Sequence, residues 1–100
     1  MATATIENNA EKIYSPSGST REEVLASIES WIPQSQGFRI GYIATAQASL
    51  IGLGSGYYVI LFRNYSYWLL IGFNLAGSVI RMLTKTSSGW ASSWKDVDLT

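Results

Sequence analysis

Two carboxylates, three glycines and a set of aromatic rings are the residues of this chain whose types and spacing suit chemistry. Asp96 and Asp98 stand two positions apart. In a strand that spacing puts both acids on one face, where they could share a cation or flank a glycosidic bond. Such a pair equally serves as solubilising charge, and that is the reading adopted. Gly52-x-Gly54-x-Gly56 has the look of a phosphate-cradling loop. It lacks Gly-x-Gly-x-x-Gly spacing and any Gly-Lys-Ser/Thr, and strand-like residues follow it, so it reads as a turn. Asn64-Tyr65-Ser66 is a formal glycosylation sequon, a tripeptide common by chance. The rings carry more. Trp31, Trp68, Trp90, Trp94, Tyr57, Tyr58, Tyr65 and Tyr67 are many for this length. Trp and Tyr stack on sugar faces and dominate interface hot spots. Arg63, Asn64, Tyr65 and Tyr67 cluster at a predicted turn, and polar tips beside a cation suit a glycan. These four form the candidate ligand-binding set.

Composition narrows the classes. The chain has 100 residues, no histidine and no cysteine. Absent histidine removes the commonest general base and transition-metal ligand; absent cysteine removes thiolate chemistry and disulfides. We therefore expect no catalytic residues, no metal site and no cofactor: a binder, not an enzyme. Seven bases balance seven acids. A neutral chain lacks the basic footprint of a nucleic-acid partner. Charge is uneven along it. Residues 1–36 hold five acids and two bases, whereas residues 37–94 hold Arg39, Arg63, Arg81 and Lys85 and no acid.

These residues need elements to hold them. Residues 1–19 read as a leader or linker, closing in the loop chemistry of Ser15-Pro16-Ser17-Gly18-Ser19. Residues 20–100 form the single domain. Thr20 with Glu23 predicts a capping box for a helix over 21–32, stopped by Pro33. Val24, Leu25, Ile28, Trp31 and Ile32 share its buried face; Arg21, Glu22, Ser27, Glu29 and Ser30 take the solvated one. From Phe38 the period becomes that of strands. Alternation over Ala44–Ser49 predicts a strand, followed by strands over Tyr57–Phe62, Tyr67–Phe73, Val79–Lys85 and Trp90–Val97. Turns fall at Arg63–Asn64, Asn74–Ser78 and Thr86–Gly89. The fold class is mainly β with one N-terminal helix (α+β), as a small antiparallel sheet or sandwich.

Between Tyr57 and Phe73 both alternating sets are apolar or aromatic. An antiparallel sheet with one wet face does not look like this. One face must lie under the helix, and the other calls for a neighbouring subunit. A rival is a membrane hairpin, because residues 40–62 and 64–80 carry no charge except at Arg63 between them. The polar residues and glycines inside both stretches, and their strand period, argue against insertion.

The last twenty residues have the most distinctive pattern. Val79-Ile80-Arg81-Met82-Leu83-Thr84-Lys85 leads through Thr86-Ser87-Ser88-Gly89 into Trp90-Ala91-Ser92-Ser93-Trp94-Lys95-Asp96-Val97. This resembles the C-terminal signature of the pyocin-knob-like domains of phage tail fibres and tail-like bacteriocins: an apolar/Arg strand, a Ser/Gly turn, then Gly-Trp-x-x-Trp-Lys and an apolar residue, where this chain has three residues between Trp90 and Trp94. Physically it is a hairpin in which Trp90 and Trp94 share a face and Arg81 can stack on one ring. Phe38–Tyr42 looks like the opening strand of such knobs, and Tyr57–Phe73 like their central strands. The resemblance implies a homotrimeric, non-enzymatic fibre tip on a virion or extracellular phage-like tail particle. Its function would be host recognition and adhesion by carbohydrate binding, to a bacterial surface polysaccharide or lipopolysaccharide. Residues 1–19 would then be a fibre-shaft stub, and Arg81, Trp90 and Trp94 the structural hairpin. The alternative within the same setting is a fibre-assembly or trimerisation module with no ligand of its own.

Overall fold

A computed structural model describes residues 12–74 and 79–98. The predicted turn at Asn74–Ser78 falls largely outside them, as do residues 1–11 of the expected leader. The order is α1 (Arg21–Glu29), β1 (Gln36–Ile43), α2 (Thr45–Leu50), β2 (Tyr57–Asn64), β3 (Tyr67–Phe73), β4 (Val79–Thr86), β5 (Gly89–Trp90) and β6 (Lys95–Asp98). The strands form an antiparallel meander, β1-β2-β3-β4, with β5 and β6 both pairing the far side of β4. The domain is mainly β with one main helix.

Helix α1 starts where its cap residue says it must. The Thr20 hydroxyl accepts from the Glu23 N–H at 3.1 Å, satisfying one of the unpaired N–H groups of the first turn. Glu23 completes the box one residue early, its carboxylate accepting from the Ser19 N–H at 2.8 Å. Regular helix ends at Glu29 rather than 32. Trp31 and Ile32 follow in tighter i→i+3 turns, donating to Ile28 and Glu29, and both side chains stay in the core.

The expected strand over Ala44–Ser49 is instead helix α2. Its alternation sets alanines against Thr45, Gln47 and Ser49, which give a strand little apolar mass to pack, while alanine is the best helix former. The helix stops in a Schellman arrangement: Gly52 takes φ 91° and the Leu53 N–H reaches back to the Ala48 carbonyl at 2.9 Å. The expected terminal strand is also divided. Lys85 pairs Trp90 and Met82 pairs Lys95, so residues 91–94 bulge opposite Leu83 and Thr84. Two serines offer this stretch no apolar mass, and the bulge lets Trp94 turn toward α2.

The register sorts every strand residue onto a face. Because the β2–β3 turn holds two residues, odd positions of β2 and even positions of β3 share the helix side. Val24, Ile28, Ile32, Val59, Leu61, Leu70 and Leu83 are essentially sealed there, with Tyr57 and Trp68 beside them. The opposite face carries cross-strand rows Phe38–Phe62–Leu69–Thr84, Ile40–Ile60–Ile71–Met82–Lys95 and Tyr42–Tyr58–Phe73–Ile80–Val97. No element among the described residues lies over these rows.

The described part of the leading segment lies on the domain. Tyr14 bridges β1 in parallel, donating to the Ile40 carbonyl and accepting from the Tyr42 N–H, and Pro16 is buried. Trp31 meets Tyr14 at 5.8 Å between ring centroids and lies directly over Gly41, where a Cβ would collide with the indole and with the Tyr14 carbonyl. Gly41→Ala should therefore cost about 1–3 kcal/mol from overpacking. Urea unfolding followed by tryptophan fluorescence measures it; an unchanged midpoint would show that the Trp31–Gly41 seat is not tight.

Candidate functional site

The turn between β2 and β3 gathers the candidate ligand-binding residues. Asn64 pairs Tyr67, leaving Tyr65 and Ser66 as a two-residue loop. Such loops need φ > 0 at their first central position and favour Gly, Asn or Asp there. This chain places Tyr65 there, at φ 57°. It is the one described non-glycine residue with positive φ.

Arg63 holds this turn. Its Nη1 donates to the carbonyls of Ile32 at 3.1 Å, Pro33 at 3.4 Å and Gln34 at 2.9 Å, and its Nε donates to the Tyr65 carbonyl at 2.9 Å. The guanidinium lies 4.7 Å over the Trp68 ring. The Tyr65 N–H donates to the Ser35 carbonyl at 2.6 Å, and Gln36 donates to the Asn64 amide oxygen at 2.8 Å. Arg63 therefore binds the α1–β1 loop to the β2–β3 turn, with its donors aimed at backbone. What faces outward is Tyr65 and Tyr67, 61% and 59% exposed.

The C-terminal hairpin has a different chemistry from that expected. Arg81 does not stack on an indole: its Nε stands 3.2 Å from the Asp96 carboxylate across β4 and β6. The ring beneath an arginine in this half of the sheet is Trp68, under Arg63. Trp90 donates its indole N–H to Glu29 at 3.0 Å, and Trp94 donates to the Ile51 carbonyl at 2.6 Å. Both indoles thus tie the hairpin to the helical layer. Glu29 is a correction to the sequence reading, which put it on the solvated face. It is half-buried and also accepts from Lys85 at 2.7 Å. Its partners lie 56 and 61 residues away, so no local spacing could have exposed them.

Beside the hairpin an open cleft of about 540 Å³ lies between α2 and the 91–94 bulge, with Arg21, Arg81, Ser92, Ser93, Trp94 and Asp96 among its lining. Arg21 donates to the Ala91 carbonyl there. Among the described residues no three acidic or metal-binding side chains gather at one place. None of the described helices is long and apolar enough to cross a membrane. The described residues of the two uncharged stretches, 40–62 and 64–74, fall in β1, α2, β2, β3 and the loops between them rather than in two long helices.

The chain matches no protein-family model, no curated protein and no solved structure.

Two outcomes test these contacts. Arg63→Lys keeps the charge but cannot reproduce the planar fork, and should cost about 1–3 kcal/mol in urea unfolding, with faster amide exchange at Tyr65. Glu29→Ala leaves the Trp90 N–H and Lys85 without their acceptor and should also cost about 1–3 kcal/mol. Glu29→Gln, which retains an acceptor, should cost less.

Proposed function

We propose that this chain is a non-enzymatic receptor-binding module whose β2–β3 turn presents Tyr65 and Tyr67 to a ligand. The observation that carries this is the backbone of Tyr65. A bulky residue in the left-handed region costs on the order of 1–3 kcal/mol, and such strain concentrates where a side chain is needed for function. A glycine would relieve it, yet the chain keeps an exposed tyrosine and holds its backbone from both sides with Arg63 and Ser35. A rigid, outward tyrosine pair, flanked by the Asn64 amide, suits the apolar face and hydroxyl edge of a saccharide ring. With the resemblance of its C-terminal hairpin, this supports a fibre tip of a phage or phage-like tail particle that recognises a bacterial surface polysaccharide or lipopolysaccharide. In that form more than one copy acts together, and weak sites gain avidity.

A second reading is favoured by Arg63. Its donors serve carbonyls rather than a ligand, as they would in a fibre-assembly module that binds nothing else.

One substitution separates the two. Tyr65→Gly should raise stability by about 1 kcal/mol by relieving the backbone. It should also weaken binding to arrayed bacterial polysaccharides and lipopolysaccharides by about tenfold or more, as loss of a hot-spot ring does. If the parent protein, intact and folded, binds no glycan or bacterial surface above background, the assembly reading stands instead.

A further inference from the structure

The sheet face turned away from the helices is apolar across five strands and uncovered by any described element. We propose that it docks onto the same face of a second copy of this chain.

The face is large and continuous. At about 4.8 Å between strands and about 3.4 Å per residue, its three rows across β1, β2, β3, β4 and β6 cover roughly 500 Å² in plan. A standard interface takes ~800 Å² of accessible surface from each partner, the same order as this face. Its rings stand out of the sheet: Phe38 is 54% exposed, Tyr58 41% and Phe62 39%. They already pair across strands, Phe38 with Phe62 at 6.0 Å and Tyr42 with Tyr58 at 4.8 Å between centroids. Ile60, Ile71 and Met82 fill the row between.

Charge selects the occupant. The three rows contain no acid and a single base, Lys95 on the outermost strand. Two copies brought face to face therefore oppose no like charges at the centre. The face offers no complementary charge for steering an unlike protein. It also lacks the basic collar that fixes an amphipathic surface to anionic lipid. A neutral sheet lacking its second layer is completed by another such sheet, about 10 Å away with interdigitated side chains. Tyr65 lies in the turn beyond these rows, whereas Tyr67, opposite Asn64, shares the open face one row further out; the ligand reading is therefore tested at Tyr65 alone.

The test is the mass of the full chain in detergent-free buffer, by size exclusion with light scattering. The expected value for the parent protein is twice 11.0 kDa. Phe62→Lys and Ile71→Lys, each placing a charge on the open face, should reduce it to a single chain with unchanged strand-rich circular dichroism. Glu22→Lys on α1 should leave it unchanged. A parent protein that is monomeric overturns the proposal, whether it stays in buffer or floats with vesicles. So does an assembly that survives both face variants. If those variants fail to fold, hydrogen-peroxide oxidation of Met82 in the parent protein decides. Protection that rises with protein concentration supports the docked face, and a concentration-independent rate overturns it. Because glycan binding by Tyr65 is read separately, failure of one proposal does not obscure the other.

Discussion

A β-strand alternates its side chains between two faces, and this chain has helix enough for one. That constraint organises the rest. The interior consists of what lies between α1, α2 and one side of the meander: aliphatic residues from the helices and from alternate positions of β2, β3 and β4. The other alternate positions are no less apolar, yet nothing in the described chain covers them. The result is half of a two-layer sandwich with a helical back, rather than a sheet with a wet face. Its many rings divide accordingly. Trp31 and Trp68 seal the back, Trp90 and Trp94 pin its rim, and most of the phenylalanines and tyrosines look outward.

With one layer of helix over a twisted sheet, the rim is the weak place, and long polar side chains secure it. Arg63 joins the α1–β1 loop to the central hairpin. Glu29 joins the end of α1 to Lys85 and Trp90. Trp94 reaches the carbonyl that ends α2, and Arg21 reaches the bulge at Ala91. Each bond crosses between elements distant in sequence, and those from Arg63, Trp94 and Arg21 satisfy carbonyls that a helix end or loop would otherwise leave unpaired. Arg21, Glu29, Arg63 and Lys85 thus serve the architecture of the fold.

Local chemistry was legible in the sequence; distant partnership was not. The start of α1 could be read from Thr20 and Glu23 because a cap is a contact between near neighbours. The central hairpin could be read because β-branched and aromatic runs flank a polar break, although its turn is at Tyr65 and Ser66 rather than at the expected Arg63 and Asn64, which end β2. The double-sided character of residues 57–73 was visible in their alternation, though the two-residue turn exchanges odd and even positions between β2 and β3. Helix α2 was misread because small residues alternating with Thr, Gln and Ser satisfy a strand period without strand-forming mass. The divided terminal strand was missed because the bulge is dictated by where Trp94 must reach, 43 residues upstream. At the turn, the tyrosines were identifiable as an exposed set. Strain at Tyr65 was not, since dihedral angles follow from pairing register rather than from residue type.

The 91–94 bulge has a further effect, on the manner of growth. An unbroken edge strand invites another chain to add by backbone pairing, and each addition presents a fresh edge, so such growth has no end. Here the bulge cuts the far edge into β5 and β6, two and four residues long, and the Tyr14 bridge occupies part of the β1 edge. Neither side offers a long template. Contact through the open face, by contrast, consumes the surface that makes it, so that association closes on itself. By interrupting its last strand, the chain favours a particle of fixed size over a fibril.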